Sequence, residues 1–167
     1  VTARSYAAVA GLGKRRALVM GGLPEVGGIL KMTEMLDMCS RTFTPGPDLL
    51  EERSGSAAVA LEDESGRVIV IGGLGGVGYF HLTEIYDPTT NAFSQGPEMA
   101  TLRRSPMAVK IDDRRILVIG GFNGVAGQGC MASTEVLDID RMVFSPGPTM
   151  GTGRSSAAAV KLADERR

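Results

Sequence analysis

The chain has a single histidine, His81, so no centre that needs two imidazoles can be assembled from its own residues. Its two cysteines, Cys39 and Cys130, are too few for a disulfide framework, and neither stands in a Cys-x-x-Cys pair. They read as reduced thiols of a cytoplasmic protein. No apolar run approaches the roughly 18 residues of a membrane-spanning helix, and no basic segment followed by an apolar one marks a secretory signal. Neither sign of charge dominates. The formal net charge of −1 supplies no general attraction to nucleic acid or to an anionic membrane. The first residue is Val1 rather than methionine, as expected of a processed, trimmed or partial sequence.

Glycine and proline, in contrast, are plentiful: 23 and 8 residues punctuate short apolar runs in a chain of 167. That pattern predicts many strands and tight turns rather than long helices. A chain of this length can bury roughly 70% of its unfolded surface as one compact unit.

The strongest signal is repetition. Arg16–Gly22 (RALVMGG), Arg67–Gly73 (RVIVIGG) and Arg115–Gly121 (RILVIGG) are three copies of one apolar strand ending on two glycines. Other residues keep step with them: glutamates 34, 84 and 135 of Thr-Glu; aspartates 37, 87 and 138; phenylalanines 43, 93 and 144; prolines 47, 97 and 148 of Gly-Pro; and arginines 53, 103 and 154. Valines 59, 109 and 160 follow, with Val9 taken as their counterpart in the first copy, which leaves Arg4 one residue out of register. The unit is therefore about 50 residues long, a spacing that signals a repeat architecture.

Each unit reads as four short strands. The first is rich in alanine and serine (YAAVA, SAAVAL, PMAVKI, AAAVKL). The second is the apolar strand, read as buried on both faces. The third runs through TEMLDM, TEIYD or TEVLD, and the fourth is centred on the phenylalanine. Turn residues separate them, as at Asp63-Glu64-Ser65-Gly66, Asp112-Asp113 and Asp87-Pro88-Thr89-Thr90-Asn91. Every break is short enough for a hairpin, so each unit is an antiparallel meander, the size of a propeller blade. Small side chains in the first strand suit the crowded axis of such a ring.

Gly72-Gly73, Thr83–Phe93 (TEIYDPTTNAF), Gly96–Met99 (GPEM) and Arg103, with their counterparts in the third unit, resemble the kelch repeat. Two departures stand out: the usual tryptophan of the fourth strand is phenylalanine in every unit, and the tyrosine of the third strand survives only as Tyr86, with Leu36 and Leu137 elsewhere. The resemblance spans Arg4 to about Leu162. It implies an all-β fold: a partial kelch-type β-propeller of three four-stranded antiparallel blades plus the first strand of a fourth. Units are expected at about 4–52, 53–102 and 103–153, with the start of a further one at 154–163. Because rings have about four to eight blades, additional blades or self-association are expected to complete it.

The resemblance also implies a non-catalytic module that binds a peptide or protein partner. In relatives such modules often select substrates for ubiquitin ligases or bind cytoskeletal proteins. The alternative is a kelch-type enzyme acting on a sugar or sugar acid, such as an epimerase or an oxidase-like propeller. The copper ligands of the kelch oxidases have no counterpart here, and no metal or cofactor is expected. Residues 73–78 match GxGxxG, but Tyr79–Tyr86 is β-prone and Pro88 follows, so the helix that would meet a pyrophosphate is missing. A flexible glycine loop is expected there instead.

In a four-stranded meander the loops after the fourth and second strands emerge on one face. Arg53, Arg103 and Arg154, with Arg104 and Arg4, should therefore ring the face of loops Leu23–Met32, Leu74–Leu82 and Phe122–Ser133. There each guanidinium can grip a carboxylate of an acidic partner, contributing about 1.5–3 kcal/mol when desolvated. Alternatively, the repeated arginines tie blades together through Glu34, Glu84 or Glu135. Arg104, outside the repeat, is the favoured partner contact. Tyr79, Phe80, His81, Phe122 and Asn123 complete the candidate set, the aromatics either anchoring a partner or packing over the blade top. Phe43, Phe93 and Phe144 are expected to anchor the blade cores.

Overall fold

The computed structural model describes residues 2–63, 65–125, 127 and 129–162. Val1, Glu64 of the turn 63–66, residues 126 and 128 of the loop 122–133, and residue 163 of the further unit lie outside the described residues. All regular structure among the described residues is β. Blade one contains β1 (Arg4–Ser5), β2 (Ala8–Gly11), β3 (Arg16–Met20), β4 (Leu23–Pro24), β5 (Thr33–Asp37) and β6 (Thr42–Pro45). Its sheet runs β2-β3-β5-β6, with β1 and β4 paired separately at one end. Blade two contains β7 (Ala57–Ala60), β8 (Val68–Ile71), β9 (Leu74–Gly75), β10 (Gly78–Tyr79), β11 (Thr83–Asp87) and β12 (Ala92–Gln95), in the order β7-β8-β11-β12. Blade three is β13 (Met107–Asp112), β14 (Arg115–Ile119), β15 (Thr134–Asp138) and β16 (Val143–Pro146), paired in that order. Every pairing is antiparallel, as the short hairpin connections require. The glycine-rich stretch after β8 is a β9–β10 hairpin rather than a loose loop.

Register corrects one expectation. Met20, Ile71 and Ile119 face Ala8, Ala57 and Met107 across the first hairpin, and each of those lies four residues after Arg4, Arg53 and Arg103. Arg4 is thus in step, and Ala10 rather than Val9 is the counterpart of Val59. The ladder sets equivalence, and a one-residue slip would turn every side chain to the other face. Accordingly Ala10 is buried whereas Val9 is 56% exposed.

The core lies between blades. Val68 to Ile71 of β8 are each 0% exposed because both of their faces are covered. Val68, Val70, Tyr86 and Phe93 meet Leu18, Met20 and Leu49 of blade one. On the opposite side Ile69, Ile71, Ile85 and Met99 meet Ile116, Val118, Leu137 and Ile139 of blade three. Each such side chain contributes about 1.5–3 kcal/mol when fully buried. Phe93 anchors its blade against Tyr86, ring centroids 5.3 Å apart, and Phe144 packs against the second cluster. Phe43 does not anchor a core among the described residues, where it is 41% exposed.

The repeated residues form one device at each junction. Thr33, Thr83 and Thr134 donate from Oγ1 to the carbonyls of Pro47, Pro97 and Pro148 at 2.7, 2.7 and 2.6 Å. The first glycines of the pairs, Gly21, Gly72 and Gly120, have φ of 61, 64 and 60°. A Cβ on them would lie 2.2, 2.4 and 2.2 Å from the carbonyl oxygens of Arg53, Arg103 and Arg154. The glycine pair is therefore where the linker to the next blade crosses the end of the apolar strand. Residues 157–162, the inner strand expected for a fourth blade, follow the linker and form no ladder.

Candidate functional site

The linkers carry the repeated arginines to the loop face, as strand direction demands. Ser54 bridges Leu74 and Arg104 bridges Phe122, so each linker lies beside the loop between the second and third strands of its blade. Arg53 and Arg103 are nevertheless interior residues, 2% and 0% exposed. Arg53 Nε donates to Glu84 Oε1 at 2.8 Å, and its Nη1 donates to the carbonyls of Gly72 and Leu82. Arg103 repeats this with Glu135 at 3.1 Å and with Gly120 and Ser133. Arg4 does the same with Glu34 at 3.0 Å. The glutamates also accept linker amides, those of Leu50 and Glu51 on Glu84 and that of Ala100 on Glu135. Of the two roles weighed for these arginines, the geometry matches the structural one. Arg53 and Arg103 are withdrawn from the partner-facing set because they are buried and most of their donors are taken up within the junction.

Phe80 is withdrawn as well. It is 4% exposed, and the Arg53 guanidinium lies 4.3 Å from its ring centroid. Tyr79 stands edge-on to Phe122, centroids 5.8 Å apart at 87°, which joins the loops of blades two and three. His81 is a surface residue, its Nε2 3.5 Å from Glu98 Oε2. Asn123 accepts the Val125 amide at 3.1 Å and shapes the turn after Phe122. Arg154 is exposed at the end of blade three.

Arg104 is placed differently from every repeated arginine. Its backbone is held by two hydrogen bonds to Phe122 at 2.8 Å. Its side chain is half-exposed and makes no ion pair or hydrogen bond among the described residues. It lines a cleft of about 190 Å³ with Tyr6, Ser105, Phe122, Ser155 and Ser156. A neighbouring hollow of about 290 Å³ shares Tyr6, Ser105 and Ser156 and opens where the inner strands converge.

The hydroxyl residues of this cleft were absent from the sequence-based set. Ser155 directly follows Arg154; the second position after each repeated arginine holds Tyr6, Gly55, Ser105 and Ser156, all but the glycine bearing a hydroxyl. All four have left-handed φ, 54, 61, 49 and 53°. For a residue other than glycine that conformation costs on the order of 1–3 kcal/mol unless its surroundings hold it. Here Gly55 donates to the Tyr6 carbonyl at 2.8 Å, Ser105 to Gly55 at 2.8 Å and Ser156 to Ser105 at 3.0 Å. A row of backbone hydrogen bonds thus runs from unit to unit around the axis and presents the adjoining side chains to one opening. The glycine at position 55 was the signal available in sequence, since it marks where the chain favours φ above zero.

The cleft thus brings together a guanidinium, several hydroxyls and an aromatic ring, groups that include hydrogen-bond donors. Among the described residues no group of three or more His, Cys, Asp or Glu side chains is disposed to hold a metal ion. The three blades, their junctions and this axial opening define a propeller built from repeats. The chain belongs to the kelch family: the Kelch motif profile matches residues 52–100 and 103–151. Among solved structures it is similar to one described as "Structure of YjhT", with a TM-score of 0.75 and 12% identity over 91% of this chain. It spans 54% of the length of that chain. No curated protein matches it significantly in sequence.

Proposed function

We propose that the chain is a non-catalytic binding module that takes an acidic segment of a protein or peptide at the axial opening of its loop face. The observation that carries this reading is Arg104, whose cation stands in a hydroxyl-lined cleft with no carboxylate paired to it among the described residues. A half-exposed guanidinium in that setting offers a paired donor fork to a carboxylate, with Ser105, Ser155 and Ser156 able to donate to the remaining oxygen lone pairs. Tyr79 and Phe122, packed on each other at the rim, supply an apolar surface for the rest of the segment. The exposed, unpaired Cys39 and Cys130 suit a reducing cytoplasmic setting.

The test is fluorescence anisotropy with a labelled glutamate-rich peptide and its glutamine counterpart. The glutamate peptide should bind preferentially and weaken with salt. Arg104→Ala should lose roughly tenfold in affinity, and Tyr79→Ala a smaller factor, with thermal stability unchanged for Arg104→Ala. Equal binding of both peptides, or an indifferent Arg104→Ala, would overturn the reading. Turnover in a panel of sugar acids would replace it with the catalytic alternative.

A further inference from the structure

The units differ most in the turns at the end of the blades opposite to Arg104. There the arginines that open the second strands, Arg16, Arg67 and Arg115, are equivalent. Arg67 Nε donates to Asp63 at 2.6 Å and Arg115 Nε to Asp112 at 2.7 Å, so blades two and three neutralise this cation within its own turn. Blade one has Gly13-Lys14-Arg15 there, which adds two cations and no carboxylate. A fourth cation, Arg41, comes from the neighbouring turn. Arg16 and Thr42 face Asp37 from either side across the ladder, and the Met38 amide donates to the Arg15 carbonyl at 2.9 Å. With strands about 4.8 Å apart, the backbones of Arg15 and Arg41 stand about 10 Å from each other on either side of Met38.

Two observations set this patch apart from ordinary charged surface. Lys14, Arg15 and Arg41 are exposed, and their side chains make no ion pair or hydrogen bond among the described residues. Asp37, the one carboxylate of the two turns, accepts the amides of Cys39 and Ser40 at 2.7 and 3.1 Å. The same three cations also have left-handed φ, 46, 61 and 57°. Blade two has Gly66 and Asn91 at the places of Arg15 and Arg41, residue types at ease with that torsion. A long cation there gives up backbone stability, and residues held in that way cluster at binding sites. The openness does not come from blade one's place in the chain. Blade two has a blade on each side, yet Ser65 and Asn91, at the places of Lys14 and Arg41, are exposed as well.

We infer that this patch is a second docking surface, for an acidic segment of a protein, at the end of the propeller remote from the axial cleft. The cations fan out rather than converge, so they suit several carboxylates in succession, each taken by a guanidinium fork or by the lysine. Met38, 50% exposed between them, is a seat for an apolar side chain of the same segment. Other polyanions fit less well. A flat anionic membrane would also meet Glu62, Asp63, Asp112 and Asp113 in the corresponding turns of blades two and three. A nucleic acid strand would find no aromatic side chain in either turn on which to stack a base. Arg104 takes no part, so the inference stands apart from the axial reading.

The full chain carrying Arg104→Ala is the background for the test, because binding that survives there is remote from the axial cleft. Fluorescence anisotropy with a labelled glutamate-rich peptide should show salt-sensitive binding in it. Adding Arg15→Gly and Arg41→Asn should weaken that binding by roughly tenfold or more. The melting temperature should stay level or rise, because both replacements suit a left-handed φ. Weaker binding at undiminished stability separates a docking role from a structural one. Arg114→Gln removes a guanidinium that already pairs with Asp140 at 2.6 Å, and should change the affinity by less than about twofold. An Arg104→Ala chain that binds no peptide overturns this inference and leaves the axial one standing. Unchanged binding after Arg15→Gly and Arg41→Asn overturns it too, as does an equal loss from Arg114→Gln. So does tighter binding of single-stranded DNA or of phosphatidylserine vesicles than of the peptide. Should the double replacement melt below its parent, Lys14→Gln decides instead: it must weaken binding by about threefold, and unchanged binding overturns the inference.

Discussion

Blade two and blade three carry the same pattern of residues, and what separates them is their neighbours. In blade two the strand Val68–Ile71 is covered on both faces, and Arg53 and Glu84 close the junction that leads into it. In blade three Ile116 and Val118 are buried against blade two, but Leu117 and Ile119 are not, and the junction that leads out ends on an exposed Arg154. The blade alone is therefore not the stable unit. Stability resides in the contact between consecutive blades, and each repeated motif is half of one such contact.

The sharpest way to break the comparison is at the junctions. Arg103→Ala leaves Glu135 buried without its cation and should lower unfolding stability by about 3–5 kcal/mol in urea titrations. Arg154→Ala should change it by less than about 0.5 kcal/mol in the single chain. Equal losses would mean that the two junctions do not differ as described. Next come the apolar faces. Ile69→Ala should cost about 2–5 kcal/mol, and Leu117→Ala about 1 kcal/mol, because much of its surface already meets water. At the glycine pair, Gly72→Ala meets both a left-handed φ of 64° and the Arg103 carbonyl. A loss on the order of 1–3 kcal/mol is expected, with the melting temperature as the readout.

The smallest effect concerns the turns into the second strands. Burial pushes the Asp63 carboxyl up, but the amides of Arg67 and Gly66 and the Arg67 guanidinium outweigh it and hold the group below its ordinary 3.8. Asp112 is held down by the Arg115 guanidinium and the Arg114 amide. A lowered carboxylate contributes stability that is complete above its unfolded value and is lost as pH falls through its folded value. Asp63→Asn should therefore be less stable than wild type near neutral pH, by less than about 1 kcal/mol since the pair stands at a half-buried surface turn where solvent screens it. The difference should vanish in stronger acid. A gap that is constant with pH would show that the loss is one of packing rather than of charge.

Much of the architecture could be read from residue spacing, because a fifty-residue period imposes the same strands, turns and loop face on every unit. The alanine-rich inner strands and the doubly covered apolar strand follow from that period. Spacing could not decide what the arginines touch. Arg53 and Glu84 are thirty-one residues apart, and only the crossing of the linker over Gly21 brings the guanidinium to its carboxylate. Val9 misled for a related reason: residue type suggested one alignment, and the ladder with Val19 imposed another. Tyr6, Ser155 and Ser156 carried no legible signal because hydroxyls in a small-residue strand are ordinary. Their importance comes from backbone torsions that place them at a common opening.

The row of amides that links Ser156, Ser105, Gly55 and Tyr6 has a bearing on how such a molecule can change over generations. Every link joins one unit to the same point in the unit before, and nothing in a link depends on how many precede it. Gene duplication of a single unit would insert one link and leave the others as they were. Blade number is therefore a quantity that duplication can alter stepwise, while the chemistry of the opening stays under the separate control of the one or two side chains beside each link.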